Sequence, residues 1–169
     1  LDLVGQEAKY DMNKILLYVE YHWGKRRPVI EFELNHNKVY PVNETIFQAS
    51  GTQENSIIEF DLELTAQNIF SIHMRDKTDN DTVEIDGEYI EHWVKIREIE
   101  IDNIKFETAL YISDPEFRHS MTQEWVSRMH DQGYEIQEKY HRCTELRLNG
   151  TWTLKFNLPI WQWCTEHFA

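Results

Sequence analysis

The 169-residue chain has the length of one ordinary domain, enough to bury a core without disulfide staples. At 41% hydrophobic and 28% charged residues its composition is globular, which excludes a wholly disordered chain. Asp and Glu number 30 against 17 Lys and Arg, and the resulting net charge of -13 repels a phosphate backbone, so nucleic acid is excluded as an expected partner.

No run of about 18 apolar residues exists, so no membrane span is expected. The stretch from Ile15 to Val19 is too short for one, Glu20 and His22 interrupt it, and it lacks the small-residue cleavage site of a signal peptide. Leu1 is not a natural initiator, whereas Met12 stands just before the first patterned segment. Residues 1–11 therefore read as a leader, a leftover of cloning or the end of something upstream, and residues 12–169 as a single β-sandwich domain. Cys143 and Cys164 could pair, but two small buried thiols are the favoured reading.

In chain order, the first predicted strand places Ile15, Leu17, Val19 and Tyr21 on one side. A second covers 28–34, with Ile30, Phe32 and Leu34 alternating with Glu31 and Glu33. A third sets Ile58, Phe60, Leu62 and Leu64 against Glu59, Asp61 and Glu63. The strand from about His92 to Ile101 carries two apolar pairs, Val94/Ile96 and Ile99/Ile101, one residue out of phase. A bulge near Arg97-Glu98 would return both pairs to one face. Asp102-Asn103 reads as a tight hairpin turn, and Ile104, Phe106, Leu110 and Ile112 as its returning strand.

One helix is expected near 121–131. Ser120 and Gln123 suggest a capping box, Met121, Trp125, Val126 and Met129 form an apolar stripe, and Gly133 is a natural stop. The stripe reads as a packing surface. Near the C-terminus, Asn149-Gly150 suggests a hairpin with Gly150 left-handed and Leu146 opposite Trp152, followed by Leu154 and Phe156. Many strands beside one short helix, without βα alternation, specify an all-β, antiparallel, jelly-roll-like β-sandwich. Leu62, Leu64, Val94, Ile96, Phe106, Leu110, Leu146 and Phe156 are its expected core.

Catalytic motifs are absent. There is no GxGxxG, phosphate-binding GxxxxGK[ST], GxSxG or HExxH, and none of the eight His forms a His-x-His pair. The acidic loop from Asp76 to Glu88 is the main chemical lead. Its Asp76, Asp79, Asn80 and Asp81 are candidate calcium ligands, because calcium favours clustered oxygens. A solvated acidic turn is the competing reading. Aromatic faces can stack on sugar rings, and Tyr89 and Trp93, which flank this loop, are the candidate sugar platforms; most other aromatics are expected to fill the core.

Segment 69–75, the Asp/Asn-rich loop, segment 90–101 and the Ile99-Glu100-Ile101-Asp102-Asn103-Ile104 hairpin resemble the corresponding part of calcium-dependent, xylan-binding carbohydrate-binding modules. The Asp-Arg-Asn loop motif of that family is missing. The order of segments from Lys14-Ile15-Leu16 to Pro159-Ile160-Trp161-Gln162-Trp163 is similar to proteins of tailed marine phages. These resemblances imply a non-catalytic carbohydrate-binding module with calcium as cofactor, made in a host cytoplasm and mounted on a virion. A capsid-decoration or tail component that partners other phage structural proteins is the alternative, and a glycoside hydrolase with paired carboxylates is third.

Overall fold

The computed structural model describes residues 11–105 and 114–168, in which strands predominate. Period-two burial is clearest in β1 (Asn13–His22), where Ile15, Leu17, Val19 and Tyr21 are all buried. This strand pairs antiparallel with β5 (Gln53–Leu62) on one side and β9 (Trp93–Ile101) on the other. Beyond β5 lies β4 (Asn43–Ala49); beyond β9 lie the short strands β10 (Ile104–Lys105) and β13 (Glu145–Leu146), one towards each end.

A second antiparallel sheet runs β12 (Lys139–His141), β11 (Glu116–His119), β14 (Gly150–Asn157), β6 (Gln67–Met74), β2 (Ile30–Leu34) and β3 (Asn37–Val39). The chain crosses repeatedly between the two sheets, so neither forms alone. Their inner faces meet in one core. Phe60 of the first sheet lies 4.9 Å from Phe32 and 5.6 Å from Phe70 of the second, both edge to face. A separate hairpin joins β7 (Val83–Ile85) to β8 (Glu88–Ile90). The antiparallel β-sandwich expected from alternation is the fold.

Of the expected core, Leu62, Val94, Ile96, Leu146 and Phe156 are buried and Leu64 is half-buried against them. Phe106 and Leu110, with the rest of the expected returning strand to Ile112, lie outside the described residues. The bulge falls where the phase change requires it. Tyr18 pairs with Glu98 and Val19 with Ile96, leaving Arg97 as the extra residue and Ile96 and Ile99 both fully buried. Asp102 and Asn103 both adopt positive φ, 48° and 68°, and Ile104 pairs with Ile101 across the turn.

Three local expectations are corrected. Leu146 and Trp152 do not form a hairpin: Leu146 pairs with Val94 in the first sheet, whereas Trp152 pairs with Ile72 and Phe117 in the second. Residues 147–149 therefore cross between layers, and Gly150 is not left-handed. Glycine is needed there for close approach, since a Cβ would sit 2.3 Å from the Arg118 carbonyl oxygen. The helix, α1 (Gln123–Asp131), is capped by Thr122 rather than Ser120: the Thr122 hydroxyl accepts from the Trp125 N–H at 3.2 Å. Gly133 stops it with a φ of 87°.

A second helix, α2 (Ile160–Phe168), adds to the single helix expected near 121–131. The Pro159 carbonyl accepts from the Gln162 and Trp163 N–H groups, while Ile160 and Trp163 enter the core and Trp161 stays 62% exposed. A three-residue spacing, not alternation, governs that segment. Cys143 and Cys164 are free thiols. Among the described residues no helix is long and apolar enough to cross a membrane.

Candidate functional site

The acidic loop is held in place by a distant arginine. Arg26, in the connection after β1, donates its Nε and Nη2 to the two Asp81 carboxylate oxygens at 2.9 and 2.8 Å. Its Nη1 reaches Asp76 Oδ2 at 2.8 Å. The fork geometry of a guanidinium suits this bidentate pairing. Asp81 is only 2% exposed and also accepts from the Thr78 N–H at 2.6 Å and hydroxyl at 3.1 Å, which ties a single 3₁₀ turn over Asp79–Asp81. Burial pushes the Asp81 carboxyl upward, but the hydrogen bonds from Arg26 and Thr78 outweigh it and hold the group below the ordinary carboxylate range.

His92, fully buried, closes the underside, with Nδ1 3.2 Å from the Arg26 carbonyl and Nε2 3.5 Å from Asp76 Oδ1. Residue 77 fixes the other side. Its N–H donates to Asn149 Oδ1 at 2.9 Å and its carbonyl accepts from Asn149 Nδ2 at 2.8 Å. The Lys77 ammonium donates to the Arg147 carbonyl at 2.6 Å, and burial pulls this lysine below its ordinary value.

Above this base the loop faces α1 across a groove. Thr78, Asp79 and Asn149 form one wall, and Met121 and Trp125 the other. These five residues line two neighbouring hollows, of about 290 and 630 Å³. The helix stripe expected to be a packing surface is half-buried, with no fully buried member, so its aromatic ring borders open space. An aromatic wall opposite a carboxylate, an amide and a hydroxyl can stack on a ring and hydrogen-bond its substituents.

The expected site residues distribute unevenly over this geometry. Asp76 and Asp81 are brought together, but by Arg26. Asp79 is 84% exposed in its side chain and turns towards Arg128, 3.9 Å away, and Asn80 is exposed beside it. Among the described residues no three His, Cys, Asp or Glu groups gather as a metal-ligating set. Tyr89 is 74% exposed on β8. Trp93 is less open: His22 of β1 stacks on it at 4.0 Å and 3°, and the Arg147 guanidinium lies 4.7 Å from the ring centroid. Strands β1 and β13 flank β9, so these two groups approach from opposite neighbours.

Sequence reasoning missed Arg26, Lys77 and Asn149 and placed Trp125 in a packing stripe. Only the partial burial of that stripe distinguishes Trp125 from a core residue, and no spacing rule links positions 26, 77, 125 and 149. No protein-family model matches the chain, and no curated protein or solved structure matches it significantly.

Proposed function

We propose that the chain is a non-catalytic carbohydrate-binding β-sandwich module whose sugar occupies the groove between α1 and the 76–82 loop. The observation that carries this reading is the half-buried Trp125 side chain, which lines one open groove together with Thr78, Asp79 and Asn149. Sugars present flat apolar C–H faces edged by hydroxyls, and such a groove offers a stacking surface edged by donors and acceptors. Tyr89 supplies a further exposed aromatic outside the groove. Calcium enters this reading only in exchange for the Arg26 guanidinium, which already pairs with both Asp76 and Asp81.

Calorimetric titration against xylan and a panel of other polysaccharides tests the proposal. Trp125→Ala is expected to weaken binding at least tenfold, about 1.4 kcal/mol, while leaving the melting temperature within a few degrees of wild type. Binding unchanged by this substitution, or no binding to any polysaccharide, would count against it. A second reading, a structural part of a virion, is favoured by one specific feature, the long exposed edge of the first sheet.

A further inference from the structure

Among the described residues, the edges of the two large sheets are formed by β10, β13, β12, β3 and β4, and the β7–β8 hairpin stands apart from both. Four of these are protected in ordinary ways. β10 and β13 have two residues each, and β12 and β3 have three residues and carry Lys139 and Lys38. Short length and lysines both discourage edge-to-edge pairing. β4 has neither protection. It is seven residues long, all seven are exposed, and its single charge, Glu44, is paired with Arg27, which Glu54 of β5 shares.

Exposure on both faces means that β4 overhangs the second sheet. Ile46 illustrates this. It stands opposite the buried Ser56, on the inward side of the ladder, yet remains 52% exposed. Phe47 is 57% exposed, and Tyr40 and Val42, leading into the strand, are 69% and 58% exposed. Alternate residues of an edge strand also turn unpaired N–H and C=O groups outward. In a chain of net charge -13, this edge carries one acid in seven residues beside exposed apolar side chains.

We propose that β4 pairs antiparallel with β4 of a second copy of this chain, about a two-fold axis at Ile46. That register sets Ile46 against Ile46, Thr45 against Phe47 and Glu44 against Gln48, so no acids face each other. The strand is thus complementary to itself, as a two-fold interface requires. The first sheet then runs continuously through both copies. A bulge at Phe47 raises the local twist and limits the paired length. An interface of this extent lies at or below about 1,200 Å², the size class of weak, reversible pairings. The two acidic bodies repel one another, so salt strengthens the pairing by screening; a basic partner on the same edge would respond in the opposite sense. The groove beside α1 uses other residues, and this proposal does not rest on sugar binding.

Sedimentation of the wild-type chain over a range of loading and salt concentrations tests the pairing. A monomer–dimer equilibrium tightened by salt is expected. Ile46→Lys, at a half-exposed site, is expected to raise the dissociation constant at least tenfold without changing circular dichroism or melting temperature. Mild oxidation of Ile46→Cys is expected to give a covalent dimer, since directly opposed Cβ atoms lie about 5 Å apart. Asn43→Cys, about 20 Å from its symmetry mate in this register, is expected to give none beyond the wild-type control. A monomer at every concentration would overturn the proposal and leave the edge to a different chain. A dimer weakened by salt, one that survives Ile46→Lys, or one that crosslinks through Asn43→Cys instead would overturn it too.

Discussion

Arg26 stands 50 and 55 positions before the carboxylates it holds, Asp76 and Asp81. Three acids within six residues repel one another, and a cation must offset that repulsion for the loop to fold back tightly. The guanidinium supplies the cation from inside the chain. Asp81→Ala removes the acceptor for both Arg26 and Thr78. It is expected to cost about 1–3 kcal/mol, towards the lower end because the guanidinium is partly solvated. Calcium gives the sharper comparison. Millimolar calcium is expected to leave the wild-type melting temperature unchanged. Arg26→Gln is expected to lower that temperature, with calcium restoring part of the loss by mass action at the vacated carboxylates. Thermal melts of both proteins with calcium and with a chelator make the test. A calcium-dependent rise in the wild type would show that the ion displaces the guanidinium.

Elements follow local rules where their neighbours are local. The Arg97 bulge was legible because two apolar pairs in one strand cannot share a face without an extra residue. The Asp102-Asn103 turn was legible because both residue types tolerate positive φ. The start of α1 was less so, because Ser120 and Thr122 can both cap a helix by sequence alone. The structure selects Thr122, whose hydroxyl reaches the Trp125 N–H, while the Ser120 N–H donates to the Asn149 carbonyl at 2.9 Å. Thr122→Ala is therefore expected to lose about 1 kcal/mol, and Ser120→Ala only a few tenths. Urea denaturation of the two variants distinguishes them. Because α1 forms one wall of the groove, a frayed first turn at Trp125 is also expected to weaken ligand binding.

At the scale of the whole molecule, charge sets the response to acid. Glu20 is 5% exposed; burial pushes its carboxyl up, but hydrogen bonds from His22 and Arg97 outweigh this and lower it. Asp81 is lowered in the same sense. A carboxyl lowered in the native state binds its proton first in the unfolded chain. The stability it lends is therefore complete above its ordinary value, 4.5 for Glu20 and 3.8 for Asp81, and is lost as pH falls through the lowered native value. The melting temperature is expected to be nearly flat from pH 7 to about 5 and to drop steeply below about 4. Relief of repulsion among exposed acids acts in the opposite direction, but screening weakens it. Glu20→Gln is expected to lower stability at neutral pH and to make the acid drop shallower.

The amino-acid order by itself determined the sandwich, its strand phases, one bulge and one turn, because alternation, β-branched residues and left-handed turn residues act over a few positions. Phe32 and Phe60 could be assigned inward without knowing that they would touch. Tertiary structure alone decided that Leu146 and Trp152 belong to different sheets, since a strand's inward face does not specify which layer it joins. The C-terminal helix was obscured because Trp161 and Trp163 mimic alternation, and only core burial of Ile160 and Trp163 reveals the helical spacing. The groove was the least legible feature. Its residues come from a connection, a loop, a helix and a sheet crossing, and long-range ion pairing and packing, which leave no periodic trace in sequence, bring them together.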